Sequence, residues 1–295
     1  MKHTLPATFV LVLVFLFAQV VGLWVLSQDI QIFEPRPGVV EVVHQDTAIG
    51  PRPDIQGAGT FLYVVFGVLI GTILLLLLIR FRKVNIWRVW FFLAVWLTLG
   101  VALGVFFTAT FALFVGFLLA LWKIMRPNVV IHNLTEIFMY SGIAVLIVPL
   151  LNIFWTVMLL LAISLYDMFA VWKSKHMVKM ATFQSEAKLF AGLSLDYLAS
   201  VKEEPETKHA KAKVQGKRKH EIRNAVLGGG DIAFPLLFSG VVMEHLITSL
   251  NLSKSAAFFH ALIISATASL ALLCLLPVSY THLRAHETVL DLVCR

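Results

Sequence analysis

Apolar residues in this chain gather into long runs separated by short polar stretches. A bilayer core about 30 Å thick takes roughly 20 apolar helical residues to cross. On that ruler, spans are predicted from Pro6 to Leu26 and from Ala58 to Ile79, with a polar, Pro-containing loop from Ser27 to Gln56 between them. The charge-free run from Val89 to Trp122 is too long for one ordinary span and reads as two, meeting near Gly100 and Gly104. Two further spans run from Ile131 to Val148 and from Leu150 to Trp172, parted by Pro149, and two more from Asn224 to Met243 and from Ser255 to Leu276. Between the sixth and seventh spans lies the long hydrophilic segment 173–223. There Phe183, Ala187, Phe190, Leu193 and Tyr197 recur at three- and four-residue spacing, which predicts an amphipathic helix on the membrane surface. From Lys202 to Glu221 almost nothing can be buried, so a disordered linker is expected.

Charge fixes the count and the orientation. Most of the 24 Lys and Arg fall on one side only if Val89 to Trp122 crosses twice: Lys2, the cluster Arg80, Arg82, Lys83 and Arg88, then Lys123 with Arg126, and the basic loop 173–223. By the positive-inside rule that side is cytoplasmic, the N-terminus included. The fold class is therefore all-α, a polytopic transmembrane helical bundle of eight spans: 1–172 with helices one to six, the loop 173–223, 224–276 with helices seven and eight, and a tail 277–295. Composition agrees, since 59% of 295 residues are hydrophobic and only 14% charged, with a mean hydropathy of +0.86. The net charge of +7 is an orientation signal, and Lys217, Arg218 and Lys219 read as an anchor on anionic headgroups rather than a nucleic-acid site. Cys274 and Cys294 are too few for a disulfide framework, and the ten histidines lack metal-ligand spacing, so no metal and no cofactor is expected.

Ionisable groups inside spans are costly and each is a functional candidate. Glu136 and Glu244 sit near span ends and read as interfacial, Glu136 being stabilised by its helix N-terminus. Asp167 and Asp231 lie deeper. Asp167 is about 9 Å of helix from Lys173 and Asp231 about 12 Å from Arg223, nearly level from the same face. No Lys or Arg occupies a predicted span, which removes a salt bridge as their explanation. Two carboxyls brought together share a proton, giving an acid and a base at one site. Gly228, Gly229 and Gly230 make the segment before Asp231 poor helix, leaving backbone groups for an extended substrate to pair with. Close helix packing is the alternative use of those glycines. Pro235 loosens the same span.

The pair Tyr166-Asp167 closing one span and Gly228-Gly229-Gly230-Asp231 opening the next resemble the YD and GxGD motifs of the presenilin and signal peptide peptidase family. Their contexts are similar to the archaeal presenilin-like branch. The resemblance implies an intramembrane aspartyl protease with Asp167 and Asp231 as catalytic dyad, supported by Tyr166 and the three glycines, in the cell membrane of an archaeon. It implies transmembrane-helix substrates and the lipid bilayer as partners, with a homo-oligomer allowed. It also implies nine helices and a Pro-Ala-Leu motif at the ninth, whereas the chain continues past Leu276 as Pro277-Val278-Ser279-Tyr280 and stops at Arg295. Eight spans of nine are thus expected, with 279–295 a non-native tail on a shortened chain. The competing class is an ion- or proton-coupled transporter using the same acids, and a third is a structural subunit in which they are incidental.

Overall fold

The computed structural model describes residues 5–36, 39–126, 128–172, 183–184, 189–201 and 219–293. Its helices are α1 (Leu5–Asp29), α2 (Ala58–Arg80), α3 (Val84–Gly104), α4 (Ala109–Met125), α5 (Val129–Ile147), α6 (Ile153–Trp172), α7 (Gly229–Leu250) and α8 (Lys254–Val293). Seven contain a stretch long and apolar enough to cross a membrane, and α4, at 17 residues, is a shorter apolar helix. The protein is a polytopic all-α membrane protein. The run from Val89 to Trp122 does break in two, at Val105 to Thr108, and the Trp96 indole staples the two arms by donating to the Leu113 carbonyl at 2.8 Å.

Four expectations are corrected. The polar loop after α1 contains an antiparallel hairpin, β1 (Ile30–Arg36) with β2 (Val39–His44), in the register Ile30 to His44. The amphipathic helix through Tyr197 gives way to a strand, β3 (Gly192–Val201), paired antiparallel with β4 (Lys219–Gly228) from Gly192–Gly228 out to Val201–Lys219. Its physical signature is the alternation Leu193, Leu195, Tyr197 against Ser194 and Asp196, which suits a strand better than the coarser three-to-four spacing. The linker's last residues, Lys219 to Glu221, therefore belong to β4; 202–218, with Lys217 and Arg218, lie outside the described residues. Finally, the seventh helix starts at Gly229 rather than Asn224 and runs to Leu250. In α8 the apolar span is Lys254–Leu275, and the stretch read as a tail continues the same helix to Val293.

Around the core, α1 packs on α5, α7 and α8, α5 packs on α3 and α7, and α6 packs on α7 and α2. Phe15, Leu23, Leu26, Leu99, Ile232, Leu236 and Met243 are fully buried there. By contrast, α2 buries only Thr60 and Leu75. At one end of the bundle, β2 rests on α7. His44 Nδ1 lies 2.7 Å from Asp29 Oδ2, Arg52 donates to the same oxygen at 2.8 Å, and His44 Nε2 faces Glu244 at 3.5 Å. Glu244 is thus part of a polar cluster that fastens the hairpin. At the other end, β3 and β4 meet α5, α1 and α7.

Candidate functional site

Asp231 falls in the first turn of α7. The strand β4 delivers the chain to that point in extended form, and Gly228, the residue before the helix, keeps φ −63° and ψ 148° with no side-chain cap of its own. The Asp231 carboxylate accepts a hydrogen bond from the Gly228 backbone. This is the reach of an N3 acid back to the N-cap amide, which also favours a negative charge at the positive end of the helix dipole. The glycines that looked loose in the sequence are thus split: Gly228 ends the strand, while Gly229 and Gly230 begin the helix. Further on, Pro235 has no N–H to offer the Asp231 carbonyl, so the helix turn carrying this residue lacks one of its usual bonds.

Asp167 stands in the last third of α6, which packs on α7. Its carboxylate is within electrostatic reach of Asp231, and both residues are accessible in the isolated chain. The chain arrives at Asp231 along an extended strand rather than after two helical turns. Tyr166, beside Asp167, donates from its hydroxyl to Thr72 Oγ1 on α2 at 3.1 Å. Thr72 also lines a cavity of about 290 Å³ between α2 and α3, walled by Val68, Gly71, Leu75, Trp87 and Trp90.

Three polar features of the site were not read from the sequence. First, Gln19 of α1, fully buried, donates from Nε2 to the Ile232 carbonyl at 2.9 Å, one residue past Asp231. Second, α5 grips the edge of β3: the Asn133 side-chain amide donates to the Ser194 carbonyl at 2.7 Å and accepts from the Ser194 N–H at 2.9 Å, and His132 Nε2 lies 2.8 Å from the Gly192 carbonyl. Third, Glu136 is fully buried and ion-paired with Lys123, and it lies beyond the first turn of α5, so the helix N-terminus does not hold it. Lys123, one residue past the predicted span end at Trp122, falls in the last turn of α4 and is itself buried, so the apolar helices do hold a buried cation. The pairing could have been read from spacing, because two helices joined by a short link run antiparallel and set the end of one beside the start of the next.

Among the described residues, no group of three or more His, Cys, Asp or Glu could hold a metal ion. What the arrangement offers is two carboxylates within electrostatic reach of each other, Asp167 on α6 and Asp231 where β4 passes into α7, on helices apolar enough to cross a membrane. A family model described as signal-peptide peptidase, presenilin aspartyl protease matches residues 39–276. No curated protein and no solved structure matches the chain.

Proposed function

This chain belongs to the signal-peptide peptidase and presenilin aspartyl protease family, and on that premise we propose that it hydrolyses peptide bonds within transmembrane helices with Asp167 and Asp231 as its catalytic pair. The observation that supports the assignment is that these two acids lie on packed helices α6 and α7, with Asp231 feeling the charge of Asp167. The pair shares one proton. The ionised carboxylate takes a proton from water as its oxygen attacks the scissile carbonyl carbon, and the protonated one donates to the carbonyl oxygen. Collapse of the tetrahedral intermediate breaks the C–N bond, with a proton delivered to the leaving amine.

A substrate helix has to unwind before it can be cut, and its freed backbone groups need partners. On β3, Gly192 and Ser194 are already bonded to His132, Glu136 and Asn133. Among the described residues β4 pairs only with β3; it runs directly into Asp231, and Val226 on it is exposed. An extended substrate pairing there would be led to the carboxylates by strand geometry. The lightly packed α2, tied to α6 by the Tyr166–Thr72 hydrogen bond, offers the side from which a helix in the bilayer enters.

The test is incubation of the purified chain, in detergent or lipid vesicles, with a transmembrane peptide and mass-spectrometric mapping of products. Cutting is expected for the wild type and not for Asp167→Asn or Asp231→Asn at unchanged Tm. Ion flux that depends on these residues, without any cutting, would overturn the reading in favour of transport.

A further inference from the structure

A buried polar network lies one layer behind Asp231, on residues to which the chemistry above gives no task. Glu136 is fully buried on α5, and its bonds reach α4, β3 and the next turn of its own helix. Oε1 is paired with Lys123 of α4, and Oε2 accepts from the Tyr140 hydroxyl at 2.7 Å and from the Gly192 N–H of β3 at 2.9 Å. Lys123 lies also 5.4 Å from the centre of the Phe91 ring on α3. Breaking such a buried pair from one side leaves an uncompensated charge, whereas replacing both partners with apolar groups is often tolerated. Burial alone therefore does not explain why the pair is present.

Its placement does. Gly192 has φ +147°, a conformation that favours glycine, and is the first residue of β3, facing Gly228 across the hairpin. The Gly229 N–H donates to the Ala191 carbonyl at 3.2 Å. Any side chain at Gly229 would overlap the Tyr140 hydroxyl, which is also within electrostatic reach of Asp231. Both strand ends that meet at the start of α7 are thus set against Glu136, one through its amide and the other through Tyr140.

We propose that Lys123, Glu136 and Tyr140 are positioning residues that fix the base of the β3–β4 hairpin and the first turn of α7, and so hold Asp231 in its reactive geometry. Glu136 orients Tyr140 and the Gly192 amide, and Lys123 holds the Glu136 carboxyl in place. The inference rests on Asp231 being catalytic. Its structural part, order at Gly192 and Gly229, stands apart from that reading.

Three variants of the full chain test it. Tyr140→Phe keeps the ring and loses the hydroxyl. Lys123→Met with Glu136→Leu replaces the pair with apolar groups of similar volume. Lys123→Met with Glu136→Gln removes both charges but leaves a side-chain oxygen for Gly192 and Tyr140. Peptide cleavage is measured as kcat and KM, alongside Tm and backbone amide exchange at 189–195 and 225–233. Tyr140→Phe and the Met/Leu pair are expected to lower kcat by about tenfold to a hundredfold, as for a small misplacement of a reacting group. KM should stay within about twofold, Tm should be near that of wild type, and the Gly192 and Gly229 amides should exchange faster. The Met/Gln pair is expected to recover most of the kcat and the protection. Wild-type kcat and protection in Tyr140→Phe and Met/Leu would overturn the proposal, as would losses that merely follow Tm. If the wild type itself does not cut, the protease reading fails, and amide exchange alone decides the network.

Discussion

Adding one methyl group at residue 229 would push it into the Tyr140 hydroxyl. Gly229→Ala is therefore expected to destabilise the protein by about 1–3 kcal/mol, the cost of overpacking a close contact. Removing the hydroxyl in Gly229→Ala with Tyr140→Phe should restore part of that loss, and equal Tm values for Gly229→Ala and wild type would contradict the contact. The residue scale also shows what the sequence could and could not convey. Asp167 and Asp231 stood out because a carboxylate in an apolar run is costly wherever it lies. Tyr140 and Gln19 did not, since a tyrosine or glutamine in an apolar helix is unremarkable until its distant partner is known. In the sequence Glu136 reads as a helix-end acid, because Lys123, its partner, reads equally well as an orientation signal. A buried pair spends two charges in one place, and hydropathy alone cannot tell it from two interfacial residues.

Helices were the legible elements. Each needs an apolar run of fixed length in a bilayer, and even the break between α3 and α4 followed from charge distribution. The strands were missed for a physical reason: their pairing is made by contacts distant in sequence, and a ten-residue alternation beside a polar stretch is a weak local signal. The β1–β2 hairpin was overlooked in the same way, although Ile30 and Ile32 alternate with polar neighbours. That hairpin is fastened by His44, whose side chain is 11% exposed. Burial works against protonation of the imidazole, but the Asp29 and Glu244 carboxylates outweigh it and hold its pKa above the usual histidine value of 6.5. Arg52, which shares Asp29, is the other charge facing the cluster. A raised folded-state value means that this contribution to stability is full below the unfolded pKa and is lost as pH rises through the folded one. The Tm is thus expected to fall as pH rises past the usual histidine value and through the higher folded-state one. In His44→Gln that part of the slope should vanish, and an identical slope in this variant would refute the coupling.

As a whole molecule, the bundle has two unlike ends: the β1–β2 hairpin with its Asp29, His44 and Glu244 cluster at one, and the β3–β4 base with Asp167, Asp231 and Lys123 at the other. From the distribution of basic residues we propose that the second faces the cytoplasm. In a background with Cys274 and Cys294 replaced by Ser, Glu41→Cys should react with an impermeant thiol reagent from outside and Arg126→Cys only after the membrane is opened. Labelling of both from one side would refute the topology. The central claim is that Asp167 and Asp231 act as one unit in peptide-bond hydrolysis. Initial cleavage rates of a transmembrane peptide by the wild type, Asp167→Asn, Asp231→Asn and the double variant test it most directly. Groups that act together are not additive, so both single variants are expected to fall to the same floor as the double. A single variant that keeps cutting well above the double would contradict the account.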